Sequence, residues 1–438
     1  MSSIRANCES PNVSVNPSDP EIPTYLRQLF DRAVAAADPA HVLAQFLPSP
    51  PKGRTLLVAA GKAAASMARA TELAWPKDAP LSGIALTRYE HGMDCERVEV
   101  IEAAHPVPDN RGHEAAKRLM GEVAQLGEDD LLLCLISGGG SALLALPAEG
   151  ISLDEKKAIN KALLMSGAPI GEMNVVRKHL SAIKGGRLAA AAQPAKVVTL
   201  AISDVPNDEP STIASGPTVP DPSTNEDAIA LLDQYGIEVS DAAQGKLHDP
   251  QNETPKPGDK IFENAAFSMI STPGDMLQTV TDECGSLDID VISLGADLEG
   301  ESREVAKDQA RLIREIRESG RQALILSGGE TTVTVADGTK PGRGGRDCEF
   351  LLALAIELDG MENVFALAAD TDGIDGSEDN AGAILSPDSL ERARALGADA
   401  RDFLTRHDSY SFFEKIDDLI VTGPTRTNVN DFRAILVL

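Results

Sequence analysis

The sequence has few aromatic residues. Only 3% of its 438 residues are Phe, Trp or Tyr, and Trp75 is the sole tryptophan. Hydrophobic residues still make up 42% of the chain, so small aliphatic side chains must build its cores. This composition favours helices packed on a buried sheet, and we expect an α/β fold. Because the chain is longer than one ordinary domain, we expect two domains.

Cysteines and long apolar runs are also scarce. The five cysteines are odd in number and include no CxxC pair, which argues against a disulfide framework or a structural zinc site. No stretch reaches the roughly 18 uninterrupted apolar residues of a membrane span, and the N-terminus has no apolar leader segment. We therefore expect a cytoplasmic protein without a membrane partner, whose residues 1–20 are disordered.

Positively charged residues are fewer than negatively charged ones. The chain has 40 Lys and Arg against 68 Asp and Glu, a net charge of −28, and a field of this sign repels nucleic acid and anionic lipid. An anionic substrate would need local positive charge to overcome it. Residues 171–200 supply such a region, with five cations against Glu172 alone. Lys184, within it, is a candidate substrate-binding residue.

The common nucleotide-binding motifs are missing. We find no GxxxxGK[ST], no GxGxxG that opens a helix ahead of a ribose-binding acid, and no protein-kinase HRD or DFG set. The serines also lack the GxSxG context of an α/β-hydrolase nucleophile. If the protein binds a nucleotide, it must use a less familiar arrangement.

Short apolar strands alternate with helical segments along both halves of the chain. This order predicts parallel strand pairing with right-handed crossovers, and hence a larger N-terminal, Rossmann-like doubly wound domain at 21–244. The polar, proline-containing segment 245–260 is the predicted linker. A smaller C-terminal α/β domain is expected at 261–438.

Several glycine- and serine-containing loops follow predicted strands, where doubly wound sheets bind anions. Glycines allow a phosphate close to the backbone, and serine hydroxyls add donors. The resulting candidates for nucleotide or phosphate binding are Ser137, Gly138, Gly139, Gly140, Ser141, Ser327, Gly328 and Gly329.

Charged residues lie near these loops. Lys62 stands between a strand end and a helix start, while Arg343 and Arg346 lie in a glycine-rich frame suited to carboxylate or phosphate recognition. Asp372 belongs to the acidic segment "ADTDGIDGSEDNAG", and Asp204 follows another strand. Their carboxylates are candidate Mg²⁺ ligands. An EF-hand calcium loop needs a glutamate at its twelfth position. Counted from Asp370, that position is Ala381, so a calcium loop is disfavoured.

Eight motifs occur in order and together resemble the class II glycerate 2-kinases, whose C-terminal part is the MOFRL domain. The resemblance runs from about Tyr25 to the C-terminus. The motifs are "VAAGKAAASMA", "HPVPDNRG", "LISGGGSALL", "NVVRKHLSAIKGGRLA", "SDVPNDEPSTIASGPTVPD", "LSGGETTVTV", "GRGGRDCEFLLALA" and "DTDGIDGSEDNAGAI".

The resemblance implies ATP-dependent phosphorylation of D-glycerate at its 2-hydroxyl, which gives 2-phosphoglycerate and ADP and uses a divalent metal. It also implies an active site in the cleft between the two domains, with Lys62 and Arg346 as active-site residues. One departure is visible, because the family pattern GGRNQE reads here as Gly344 to Glu349, "GGRDCE".

A mechanism for this chain follows as a hypothesis. The loop Ser137 to Ser141 would hold nucleotide phosphates, while Lys62 and Arg346 would neutralise the transferring group and hold the glycerate carboxylate. Asp204 and Asp372 would contact Mg²⁺ or accept the hydroxyl proton. The remaining substrate-binding candidates are Arg343, Lys184 and Glu330.

Two rival functions and the assembly state stay open at this point. A hydroxypyruvate reductase would need a nicotinamide cofactor, and the missing GxGxxG argues against it. A non-catalytic sensor of phosphorylated metabolites would leave the acidic loop unexplained. The sequence does not determine the oligomeric state, and a homodimer is left open.

Overall fold

The computed structural model describes residues 21–285, 287–336, 338 and 340–438. The segment 1–20, for which disorder is predicted, lies outside the described residues. In the described chain the strands form two six-stranded sheets and one two-stranded ribbon. The strands are β1 (Thr55–Ala60), β2 (Leu81–Arg88), β3 (Val98–Ala103), β4 (Leu131–Ile136), β5 (Lys196–Ile202), β6 (Ala265–Ser271), β7 (Asp290–Ser293), β8 (Glu299–Glu301), β9 (Ala323–Ser327), β10 (Glu330–Thr332), β11 (Val364–Asp370), β12 (Gly382–Leu385), β13 (Leu419–Ile420) and β14 (Asp431–Val437).

Helices fill most of the connections between these strands. The α-helices are α1 (Ile22–Ala36), α2 (Pro39–Val42), α3 (Ala64–Ala74), α4 (Asn110–Val123), α5 (Gly140–Leu143), α6 (Leu153–Met165), α7 (Ile170–His179), α8 (Arg187–Ala191), α9 (Asn225–Gln234), α10 (Asp241–Leu247), α11 (Pro273–Cys284), α12 (Ser302–Glu318), α13 (Arg346–Leu358), α14 (Ser389–Ala395), α15 (Ala400–Thr405) and α16 (Ser409–Lys415). Short 3-10 helices cover Ala44–Phe46, Pro206–Asp208, Ile213–Ser215, Pro250–Asn252 and Lys260–Phe262.

The first sheet is parallel throughout, with strand order β3-β2-β1-β4-β5-β6. Its central strands β1 and β4 are buried along their whole length, which explains why both read as unbroken apolar runs. The order reverses between them, and in doubly wound sheets the ligand crevice lies outside the strand ends at this point. Ala60 is paired with Ile136 in the register, so the loops that begin at Gly61 and Ser137 lie side by side.

The first sheet extends beyond the predicted linker. Its last strand, β6, pairs with β5 and follows the segment 245–260 in the chain. That segment contains the end of α10 and the 3-10 helix Pro250–Asn252. Its polar, proline-containing composition belongs to a surface connection within the first unit, and the chain passes to the second sheet after β6.

The second sheet is mixed, with order β13-β12-β11-β14-β9-β7. β11 pairs antiparallel with β12 and β14, β14 pairs antiparallel with β9, and only β7 and β9 run parallel. Helices α12 and α13 pack together beside it. The expected smaller C-terminal α/β unit is confirmed, although alternation of strands and helices alone does not reveal antiparallel pairing.

The first helix joins the two sheets. Although α1 precedes the whole first sheet in sequence, it packs against α11 and against β11 and β14 of the second sheet. The rings of Phe30 and Phe432 lie 6.5 Å apart, centroid to centroid, and the Thr427 hydroxyl donates to the Ala37 carbonyl oxygen over 2.7 Å. One apolar core therefore continues from the first sheet to the second.

Among the described residues, no helix combines the length and apolar character that crossing a bilayer requires. Cys95, Cys134, Cys284 and Cys348 are free thiols. Cys8 lies outside the described residues.

Replacing Phe30 with Ala should destabilise the whole protein, because the ring is 1% exposed in the core that joins the sheets. Loss of a buried phenylalanine costs about 3–5 kcal/mol, measurable by urea denaturation. Phe46→Ala is the control, since that ring is 37% exposed. Equal losses in the two variants would contradict the joining role of α1.

Candidate active site

The site begins where the loops after β1 and β4 touch. Gly61 has φ +132°, and a Cβ on it would lie 2.1 Å from the Ser137 hydroxyl oxygen, so only glycine is accommodated there. The Lys62 N–H donates to the Gly138 carbonyl oxygen over 2.8 Å, and the Ala63 N–H donates to the Ser137 hydroxyl oxygen over 3.0 Å. These bonds set Lys62 beside the glycine loop, as the sequence predicts.

Lys62 forms an ion pair that crosses between the two units. Its Nζ lies 2.5 Å from Oδ2 of Asp372, in the loop after β11. Burial alone lowers the pKa of Lys62, but the charges of Asp372, Asp370 and Asp204 outweigh it and hold that pKa above its ordinary value. Lys62 is therefore a cation at neutral pH.

Asp372 has both carboxylate oxygens engaged. Oδ2 accepts from Lys62, and Oδ1 accepts from the Ile374 N–H over 2.8 Å. Burial opposes its ionisation, but Lys62 lowers the pKa of Asp372 below its usual range. The Asp372 carboxylate therefore orients Lys62, and a metal ion bound to Asp372 would compete with the lysine for the carboxylate oxygens.

Arg346, at the start of α13, is surrounded by carboxylates. Its Nε and a terminal nitrogen each lie 2.8 Å from Asp431, the same terminal nitrogen lies 2.8 Å from Asp370, and the other lies 2.8 Å from Glu330. Asp370 and Asp431 are buried, whereas the Glu330 side chain is 51% exposed. Because Asp370 also accepts from the Asp372 N–H over 2.9 Å, a chain of polar contacts runs from Lys62 to Arg346.

Asp204 faces the cleft between the two sheets. It lines a cavity of about 610 Å³ together with Gly329 and Glu330 of the second unit. Oδ2 of Asp204 accepts from the Asn428 amide over 2.9 Å, and burial raises the pKa of Asp204 to about 6. A Cβ at Gly138 would lie 1.9 Å from the same oxygen, so glycine is required beside this carboxylate.

Candidate Mg²⁺ ligands at the cleft are few. In the described ranges no three His, Cys, Asp or Glu side chains converge as a metal cage. Mg²⁺ usually takes one or two carboxylates and completes its shell with waters and substrate phosphates. Asp204 fits that pattern, because its partly buried carboxylate faces the cleft and a cation would offset the cost of its burial.

Two predicted substrate-binding residues lie apart from this ion-pair chain. Lys184 is fully buried, and its Nζ donates to the Ser141 carbonyl oxygen (2.7 Å), the Ser141 hydroxyl oxygen (3.0 Å) and the Ala214 carbonyl oxygen (3.4 Å). It therefore supports the glycine loop from beneath. Arg343 is exposed and pairs with Glu378 and Glu414 over 2.8 and 3.1 Å.

The second serine–glycine loop closes the other side of the cleft. Ser327 is buried at the end of β9. The Gly328 carbonyl oxygen accepts from Arg433 over 3.1 Å, and the Gly329 carbonyl oxygen accepts from the Asp431 N–H over 3.1 Å. These contacts hold Asp431 beneath Arg346, so the loop has a demonstrable positioning role.

Four residues of the site had no assigned role in the sequence-based mechanism: Asp370, Asp431, Asn428 and His105. A Cβ at Gly139 would lie 2.9 Å from Nε2 of His105. Burial, followed by Lys62 and Arg88, lowers the pKa of His105 to about 4, so the ring is neutral at pH 7. The polar cluster just before the apolar last strand was the signal for Asn428 and Asp431.

The residues that depart from the family pattern, Asp347 and Cys348, are buried, and so is the matching Glu349. Glu349 is buried against Arg303 and lies 2.9 Å from Nδ1 of His407, so it is a structural ion-pair residue. Asp347 is fully buried, and neither carboxylate oxygen has a hydrogen-bond partner within the described residues, although Oδ1 lies 3.5 Å from Arg433. Burial, followed by the charge of Asp431, raises the pKa of Asp347 well above its usual range.

Comparison with known proteins agrees with this two-unit α/β fold. The family described as "Domain of unknown function (DUF4147)" matches residues 25–248, and the MOFRL family matches residues 323–431. The chain is 40% identical to D-glycerate 2-kinase of Thermotoga maritima over 415 residues, which cover 92% of this chain and 95% of that protein.

Two further proteins are similar to this chain over almost its whole length. The crystal structure of a glycerate kinase from Thermotoga maritima matches with a TM-score of 0.85 and 37% identity, over 95% of this chain and all of that one. A protein of Agrobacterium vitis, provisionally named hydroxypyruvate reductase, is 51% identical over 416 residues, 94% of each chain. The chain belongs to the MOFRL-containing glycerate 2-kinase family, as its motifs predict.

Asp347→Asn should stabilise the protein increasingly as pH rises. In the folded state Asp347 keeps its proton well above pH 4, whereas the unfolded carboxyl loses it near pH 4, so wild-type stability falls by up to about 1.4 kcal/mol per pH unit in that window. Asparagine does not titrate, so the stability of the variant does not fall with pH for this reason. Urea denaturation from pH 5 to pH 8 measures the difference.

The exposed, ion-paired Asp308 provides the control variant, Asp308→Asn. Its stability should follow that of the wild type at every pH. A stability difference between Asp347→Asn and the wild type that stays constant with pH would show that Asp347 is ionised in the folded protein.

Proposed function

We propose that the protein transfers the γ-phosphoryl group of ATP to the 2-hydroxyl of D-glycerate, giving 2-phosphoglycerate and ADP. The observation that carries this proposal is the approach of Lys62 and Arg346 to one cleft, linked through Asp372 and Asp370, beside a glycine loop. Phosphoryl transfer needs charge neutralisation and in-line positioning more than covalent chemistry. The names of the Thermotoga relatives support the choice of glycerate.

Lys62 is suited to stabilise the transferring group. An ammonium has three donors, and the contact with Asp372 uses one of them. The remaining donors are available to phosphoryl oxygens. Because Asp372 is held in turn by the Ile374 N–H, the ammonium is positioned before the substrate arrives, which is the condition for electrostatic catalysis.

Arg346 is suited to bind the acid substrate. Buried Asp370 and Asp431 hold one edge of its guanidinium, while half-exposed Glu330 pairs with the terminal nitrogen at the other edge. An exposed ion pair is weak, so an incoming carboxylate can replace Glu330. Arginine binds a carboxylate with two parallel hydrogen bonds, which would orient glycerate in the cleft.

The glycine loop is suited to nucleotide phosphates. The N–H groups of Gly138 and Gly139 donate no hydrogen bond to the described part of the chain, and glycine at both positions lets a phosphate approach the backbone. Mg²⁺, held by Asp204 and phosphate oxygens, would neutralise charge on the phosphates when bound.

The alternative function is reduction of hydroxypyruvate, the activity in the provisional name of the Agrobacterium vitis relative. One assay series separates the two. Purified protein with D-glycerate and Mg-ATP should release ADP and place phosphate on the 2-hydroxyl, identified by ³¹P NMR. Oxidation of NADH by hydroxypyruvate, without ADP release in the first assay, would overturn the proposal.

Lys62→Ala should lower kcat by at least about a hundredfold, as removal of a preorganised charge stabiliser does. Steady-state ADP release measures the loss. Lys52→Ala removes the same charge from an exposed side chain and should retain wild-type turnover. Near-normal activity of Lys62→Ala would remove the lysine from the mechanism.

Arg346→Gln and Arg343→Gln remove the same charge from one glycine-rich segment. The Arg346 variant should raise the KM for D-glycerate at least about tenfold, the equivalent of one charge-assisted hydrogen bond. The Arg343 variant should change it less, since that side chain pairs with Glu378 and Glu414. Equal effects would support the substrate role that the sequence predicts for Arg343.

A further inference from the structure

A cluster of buried and half-buried cations lies beside the glycine loop, and none of them has a carboxylate partner within the described residues. It comprises Lys156 on α6, Arg177 on α7 and Lys184, and we call these three residues the cationic cluster. Lys156 is only 7% exposed and Lys184 is fully buried. In a chain with a net charge of −28, three cations gathered without an acid require an explanation, because an unpaired buried charge is costly.

The polar partners of the cluster are neutral. Arg177 donates to the Asn160 and Asn174 side-chain oxygens, over 3.3 Å each. Lys184 donates to Ser141 and to the Ala214 carbonyl oxygen. The Lys156 ammonium makes no hydrogen bond or ion pair within the described residues. The Lys156 side chain is nevertheless largely covered by the fold, since the residue is 7% exposed.

The cluster is continuous with the proposed active site. The Ser141 hydroxyl lies 2.8 Å from that of Ser215, which donates to Asn174 over 3.3 Å. Ser141 ends the glycine loop that borders Lys62, and a Cβ at Gly140 would lie 2.9 Å from Cβ of Ala214. Thr212, three residues before Ser215, lines the cleft cavity, as does Ile170 at the start of α7.

The pKa shifts of the two lysines also indicate that the cluster lacks a neighbouring negative charge. Burial, and then the charge of Arg177, lowers the pKa of Lys156 to about 8. Burial, followed by Lys156 and Arg177, lowers the pKa of Lys184 well below its ordinary value. An anion among the three side chains would reverse both effects.

We propose that the cationic cluster, with the hydroxyls of Ser141 and Ser215, binds an oxyanion group of one of the enzyme's two substrates, either the carboxylate of the acceptor acid or a phosphate of the nucleotide. Lys156 and Arg177 provide the contacting donors, and Lys184 holds Ser141 in place. The assignment to these substrates rests on the proposed function, whereas oxyanion binding itself does not.

Inorganic phosphate tests the site without any turnover. Calorimetric titration is carried out in the Lys62→Ala background, so that the cleft lysine does not mask the cluster. Addition of Lys156→Met or Arg177→Gln should weaken phosphate binding at least about tenfold. Addition of Lys157→Met is the matched control, because that neighbour on α6 pairs with Asp154 at the surface.

Thermal denaturation without phosphate separates a binding role from a structural one. Lys156→Met should keep or raise the midpoint, since it removes an unpaired buried charge. Undiminished phosphate affinity in both cluster variants, or no phosphate binding in the Lys62→Ala background, would overturn the site. A lowered midpoint for Lys156→Met would show that the cation is structural.

Kinetics of the single variants identify the source of the oxyanion. A rise of at least about tenfold in the KM for D-glycerate, with the KM for ATP unchanged, would identify the bound group as the glycerate carboxylate. The reverse pattern would identify it as a nucleotide phosphate. If neither KM changes in an active enzyme, the assignment to its substrates is wrong. If the wild type has no kinase activity, the proposed function fails while the phosphate titration still decides the site.

Discussion

The ion pair between Lys62 and Asp372 is the interaction on which the rest of the site depends. Lys62 is set by the first sheet and Asp372 by the second, so their 2.5 Å contact requires both units in a fixed relation. The apolar core around α1 supplies that relation, because this helix precedes the first sheet in sequence but packs on the second. The geometry of the candidate site and the stability of the fold therefore depend on one interface.

The site concentrates charge of both signs in a strongly acidic protein. Buried carboxylates hold Lys62 and Arg346 in place, and the half-exposed Glu330 completes the pairing where a substrate would enter. The cationic cluster is different, because its partners are serine and asparagine side chains and backbone carbonyls. No carboxylate of the described residues pairs with it, and this is the basis for proposing an oxyanion ligand there.

Much of this could be predicted from the sequence because some signals are local. Apolar strands that end in glycine and serine residues identify the loops after β1, β4 and β9, and the eight ordered motifs identify the family. Arg343 and Arg346 share one glycine-rich segment, however, and only the structure separates them. Arg346 turns toward Asp370 and Asp431 at the start of α13, whereas Arg343 remains on the surface with Glu378 and Glu414.

The sequence by itself determined the α/β class, the parallel first sheet, the family and the prominence of Lys62, since these follow from short-range patterns. Tertiary structure alone decided that β6 belongs to the first sheet, that the second sheet is mixed, and that Lys184 lies beneath the glycine loop. It also decided that Asp372 pairs with a lysine 310 positions away. Pairings between distant segments depend on how apolar faces pack, and no local pattern encodes them.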